Sequence, residues 1–150
     1  MLKGTLEEDI KKAMLARNED LLSTLRMLKS AIQYAEINKG VNYSATDEDI
    51  LDVISKEVKK RRESIDLYEK GGRPELAEKE TKELDILQGY LPEQLQEDEI
   101  KKLVDEAVSK TNASGIQDMG KVMGALMQQI KGKADAGLVS SIVKSTLTQN

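Results

Sequence analysis

Apolar side chains recur along this chain at intervals of three and four residues and never settle into alternation, so its buried surface has to be built from helices. Leu21, Leu25, Leu28, Ile32 and Ala35 step along one face, and Met119, Val122, Met123, Leu126, Met127 and Ile130 do the same further on. The apolar set is almost wholly Leu, Ile, Val, Met and Ala. Aromatics make up 3% and charged residues 33%, a balance that suits aliphatic helix cores beneath solvated faces. An all-α fold is the expectation.

Composition also removes chemistry. The 150 residues include no Cys and no His, which excludes disulfides, thiolate nucleophiles, Ser-His pairs and the usual zinc and haem sites. There is no P-loop, dinucleotide fingerprint or nucleophile elbow either. No metal and no cofactor is expected, and any enzyme activity would need carboxylates, amines, hydroxyls or tyrosines alone. The formal net charge of −4 counts against nucleic-acid contact, RNA included, and DNA is not expected as a partner. Met1 to Met14 contains no apolar run of the signal-peptide kind, and nowhere do eighteen apolar residues follow one another, so no membrane association and a cytoplasmic location are expected.

Capping chemistry divides the helical pattern. Thr5 with Glu8 fits a capping box for a first helix running to about Arg17, and Asn18 suits the cap of a second that stops at Gly40. Thr46, followed by Asp47, Glu48 and Asp49, opens a third helix with its stripe on Leu51, Ile54, Val58, Ile65 and Tyr68, ending at Gly71 and Gly72. Pro74 fits the first position of a fourth, which carries Leu76, Leu84 and Leu87 and stops near Gly89, because Leu91 precedes Pro92. Beyond that boundary, Ile100, Leu103, Val104 and Ala107 mark a fifth helix, Met119 to Ile130 a sixth, and Leu138, Val139, Ile142, Val143 and Leu147 a seventh. The expected layout is a four-helix N-terminal segment with long helices, residues 1–92, and a small C-terminal three-helix bundle, residues 93–150.

Two sets of charged residues stand out. Arg61, Arg62, Glu80 and Glu83 occupy positions where the apolar stripes of the third and fourth helices should continue, which predicts Arg-carboxylate pairs turned towards the packed face. They could act as general acid, base or substrate anchors, or form a polar network that fixes helix register. The neighbouring run of Lys56, Lys59 and Lys60 sits among Glu57, Glu63 and Asp66, which suggests pairing on a solvated face. In residues 117–150, Lys121, Lys131, Lys133 and Lys144 face only Asp118 and Asp135. Lysines at Lys131-Gly132-Lys133, with the backbone donors of the following helix start, are a candidate RNA phosphate contact. The lack of aromatics in this part counts against base stacking. Gly120 and Gly124 suggest close helix packing, and the methionines core filling.

The segments TLRMLKSAI (24–32), KEVKKR (56–61), ELDILQGYLP (83–92) and DMGKVMG (118–124) together resemble the YqeY family over nearly the whole chain. Its most specific pieces here are YLPEQL (90–95), GKVMG (120–124) and KGKAD (131–135). The resemblance implies an all-helical protein whose C-terminal three-helix part is similar to the tail of the B subunit of the tRNA-dependent amidotransferase. That tail contacts tRNA, which implies Lys121, Lys131 and Lys133 as RNA-facing residues. The family pattern commonly has Gly directly after the aspartate, where this chain has Ala136 and then Gly137. The function expected is a non-catalytic adaptor that binds tRNA or a tRNA-handling protein. The alternatives are an accessory factor of tRNA-dependent amide transfer, carrying carbon-nitrogen ligase activity with glutamine as amido donor, and a protein-interaction module.

Overall fold

The structure, a computed structural model, describes residues 1–149, and every regular element among them is helical. The elements are α1 (Leu2–Leu15), α2 (Glu19–Lys39), α3 (Asp47–Lys70), α4 (Pro74–Gln88), α5 (Glu97–Thr111), a single 3₁₀ turn (Ile116–Asp118), α6 (Met119–Ile130) and α7 (Ala136–Thr148). The chain divides into two compact units, Met1–Leu91 and Pro92–Asn150. Among the described residues no helix is long and apolar enough to cross a membrane.

Local chemistry sets most helix ends. The Asn18 side chain accepts from Leu21 N at 3.2 Å, and Thr46 and Asp49 close a reciprocal capping box. Pro74 starts α4, where its missing N–H costs nothing. The expected box at Thr5 does not form. Helix α1 already begins at Leu2, and the Thr5 hydroxyl donates back to Met1 O at 3.1 Å, an interaction within the helix. Leu2 N donates to the Asp47 carboxylate at 2.9 Å, so a long-range contact supplies the end that a local cap would have supplied.

The first unit buries Leu6, Leu25, Leu28, Ile32, Ile50, Ile54, Val58 and Leu87 in one core. Helices α3 and α4 pack most extensively, as an αα-hairpin turning through Gly71–Arg73. The buried stripe of α3 runs through Ile50, Ile54, Val58 and Arg61, so an arginine takes the next apolar position. The second unit buries Ile100, Val104, Ala107, Val122, Leu126, Ile130, Val139, Ile142, Val143 and Leu147. Met119, Met123 and Met127 pack at its edge, consistent with gap filling. Gly120 and Gly124 do not serve close packing: both are exposed, and a Cβ at either would meet nothing within 4 Å.

Candidate nucleic-acid interface

Helix α6 ends in a turn whose conformation follows from its sequence. Lys131 has φ −58° and ψ 123°, Gly132 has φ 76°, and Lys133 N donates to Ile130 O at 2.8 Å, which together make a type II β-turn. The third position of such a turn requires a positive φ, so glycine is the residue that fits between the two lysines. Gly132 is buried, Lys131 half-buried and Lys133 exposed.

A second segment fastens this turn from outside. Gln94 Nε2 donates to Gly132 O and to Pro92 O, both at 2.8 Å, and Leu95 N donates to Lys133 O at 2.8 Å. Two successive turn carbonyls are thereby held by residues that precede α5. The YLPEQL and KGKAD segments, distant in sequence, meet here through hydrogen bonds.

The expected anion site at the start of α7 is taken by the protein itself. Asp135 is the N-cap of α7 and its carboxylate accepts from Leu138 N at 3.3 Å, which places a negative charge where a phosphate would use the helix dipole. Ala136, at the position where the family pattern has glycine, is the first residue of α7. The positive φ of this loop falls on Gly132, so alanine is accommodated.

The four lysines do not form one cluster. Lys131 and Lys133 share the turn, whereas Lys121 lies in the first turn of α6, ten residues and roughly 15 Å of helix axis from Lys131. Beside it, Asp118 is held below the usual carboxylate range, first by a hydrogen bond from Ser114 N and then by the charge of Lys121. Lys144 is exposed on α7, roughly 12 Å along the axis from the start of that helix.

Of the charged residues on α3 and α4, the structure brings only some together. Arg61 is 8% exposed; its guanidinium donates to Glu57 Oε2 at 2.8 Å, to Glu57 O at 3.2 Å and to Glu83 Oε2 at 3.2 Å. Arg62 is exposed instead of facing the core, because one residue further round the helix rotates it about 100° off the buried stripe. Glu80 is half-buried and makes no ion pair with Arg61 or Arg62, because Glu83 takes the arginine. Glu57, expected on the solvated face, is a central member of the network, and its position four residues before Arg61 is the sequence signal for that pairing. Lys56 and Lys60 do pair locally, with Asp52 and Glu57. Every buried polar side-chain atom among the described residues has a hydrogen-bond partner, so the network is chemically closed. No group of three acidic side chains among the described residues could hold a metal ion.

A cleft of about 590 Å³ lies between α2 and α3. Ala31, Tyr34, Ala35 and Asn38 line it from one helix and Asp52, Val53, Lys56 and Lys60 from the other. At its end Asp49 accepts from Lys39 and from the Tyr43 hydroxyl, and these contacts, with Thr46 N, hold its carboxyl well below the usual range.

The family model described as Yqey-like protein matches residues 3–147. The chain is 34% identical over 145 residues to altered inheritance of mitochondria protein 41, mitochondrial, of Pyrenophora tritici-repentis, spanning 95% of this chain and 78% of that protein. The protein of the same name from Clavispora lusitaniae is 32% identical over 149 residues, spanning 96% and 84%. That from Saccharomyces cerevisiae strain YJM789 is 33% identical over 133 residues, spanning 84% and 68%. A match that runs from the start of α1 to the last turn of α7 makes this chain a member of the YqeY family.

Proposed function

We propose that this protein is a non-catalytic adaptor that binds tRNA through its C-terminal helical part, with the four-helix N-terminal part and the three-helix C-terminal part serving as separate modules. One observation carries the reading: a type II turn, fastened by Gln94 and Leu95, presents Lys131 and Lys133 from a fixed backbone. Lys133 and Lys144 are exposed and have no carboxylate partner among the described residues, so their charges are available to phosphates. All four tyrosines precede residue 92, so this part offers phosphate contacts without aromatic stacking. Binding is then tolerant of sequence and sensitive to salt.

Three curated relatives are named as mitochondrial proteins. The place of action proposed here is whichever compartment holds the tRNA partner: the cytoplasm, or a mitochondrion as in the names of those relatives.

Electrophoretic shift with total tRNA at low and moderate salt tests the reading. A shift that weakens with salt and is lost in Lys131→Glu/Lys133→Glu is expected. No shift at micromolar protein overturns it, and recovery of a tRNA-handling protein without RNA would move the function to protein recognition. Amide formation on mischarged tRNA with glutamine, catalysed by the isolated chain, would replace the adaptor by a carbon-nitrogen ligase.

A further inference from the structure

The Lys131–Lys133 turn has its own hydrogen bond, Lys133 N to Ile130 O, which fixes its curvature. Curvature alone leaves open the direction in which the turn points, because a tight turn at a helix end can swing about the last helical residue. That direction is held by Gln94 together with Leu95. A carboxamide NH₂ has two donors, and here both are engaged at 2.8 Å, on Pro92 O and on Gly132 O. One side chain therefore ties the segment entering α5 to the segment leaving α6, across 38 residues of sequence. Leu95 N adds a third link one carbonyl further on, at Lys133 O.

Resting on the tRNA reading above, we propose that Gln94 is a positioning residue for phosphate binding: it touches no RNA itself and acts by holding the backbone from which Lys131 and Lys133 reach. The reason is entropic. Lysine side chains are flexible, so the one element a protein can prearrange is the backbone that carries them. Without the two Gln94 donors, Gly132 O and Pro92 O turn to water, and the turn keeps only the Leu95 N to Lys133 O tether, so its backbone gains freedom. Re-ordering even one backbone residue on binding weakens affinity by roughly five- to thirtyfold. A glutamine selected only for stability would give the same loss whether or not the lysines were present, which separates the two roles.

The test is a double-mutant cycle on tRNA affinity, read by fluorescence anisotropy across a salt series, using the full chain. Gln94→Met keeps the length of the side chain and removes both donors. Gln94→Asn keeps the amide but is one methylene shorter than the span to Gly132 O; it replaces the Met variant if that one does not fold by circular dichroism. Either is expected to weaken binding about tenfold. In a Lys131→Ala/Lys133→Ala background the same change is expected to have no further effect, because its effect passes through those lysines. The lysine substitutions are expected to lower the salt slope by about 1.4 to 1.8, the loss of two phosphate contacts. Wild-type chain that binds no tRNA overturns the functional reading and this inference together. If the lysine variants lose binding while Gln94→Met binds as wild type, or if the Gln94 effect persists unchanged without the lysines, the inference falls and the functional reading stands.

Discussion

Replacing Arg61 by methionine isolates the charge network between α3 and α4, because methionine keeps the aliphatic stem while removing every donor. In the native protein the Arg61 side chain is 10% exposed and the Glu57 and Glu83 side chains 14% and 24%. Breaking a fully buried pair costs about 3–5 kcal/mol, since a charge is left without its partner. Here the residual exposure of both carboxylates lets water reach them, and the Met stem preserves packing, so the expected cost is about 2–4 kcal/mol. Tyr34, Tyr43, Tyr68 and Tyr90 all lie in the first unit, which makes tyrosine fluorescence a reporter of that unit alone. With a urea m-value of about 1–1.5 kcal/mol/M for a unit of this size, the tyrosine-detected midpoint should fall by roughly 1.3–4 M. Adding Glu83→Gln should restore part of the loss, because an amide tolerates the missing cation better than a carboxylate does. An unchanged midpoint in Arg61→Met would mean that the network contributes nothing to stability and that Arg61 is one more solvated charge.

Other substitutions test separate parts of the fold. Tyr90 donates to Asp9 Oδ2 at 2.6 Å; burial, and then that bond, pushes its hydroxyl pKa above the ordinary 10.0. The neutral phenol is therefore favoured by folding, and its contribution is present below pH 10 and lost as the pH rises beyond. Tyr90→Phe should cost about 0.5–1.5 kcal/mol at neutral pH and remove that alkaline loss, as followed by denaturation at pH 7 to 11. The Asp49 carboxyl lies below its ordinary 3.8, chiefly through Lys39, so its stabilisation is present above that value and fades as acid titrates it. Asp49→Asn should accordingly be less stable than wild type above about pH 5, with the difference shrinking towards pH 3 in acid denaturation. Leu126→Ala should cost about 2–5 kcal/mol in a unit of roughly 60 residues, enough to melt the helices α5–α7 in circular dichroism while the tyrosine transition stays in place.

Features carried by neighbouring residues could be read from the sequence, and features that need a second segment could not. Asn18, the Thr46 box and Pro74 declare helix starts because a cap is a contact between residues two or three apart. The spacing of leucines and isoleucines likewise gave the all-helical class. Arg61 and Arg62 lie four and three residues before Ile65, and spacing could not tell which of them faces inward; that depends on where α4 places Glu83. The cap at α1 failed for the same reason, because Asp47 on another helix supplies the acceptor for Leu2. Lys131 and Lys133 stand out as charges, and Gln94 falls within the YLPEQL motif, but its partner carbonyl 38 residues away cannot be read from that motif. The Asp135 cap is a local signal of the same kind as Asn18: an aspartate three residues before Leu138 and directly ahead of an apolar run marks a helix start, and its carboxylate competes with a phosphate there.

Whether the turn after α6 meets RNA can be read from amide chemical shifts of the isotopically labelled full chain, recorded with increasing tRNA. Shifts concentrated at residues 131–135 and at Gln94 and Leu95, with α2 and α3 unmoved, are the expected result. Shifts confined to the cleft between α2 and α3, or none at saturating tRNA, would contradict it.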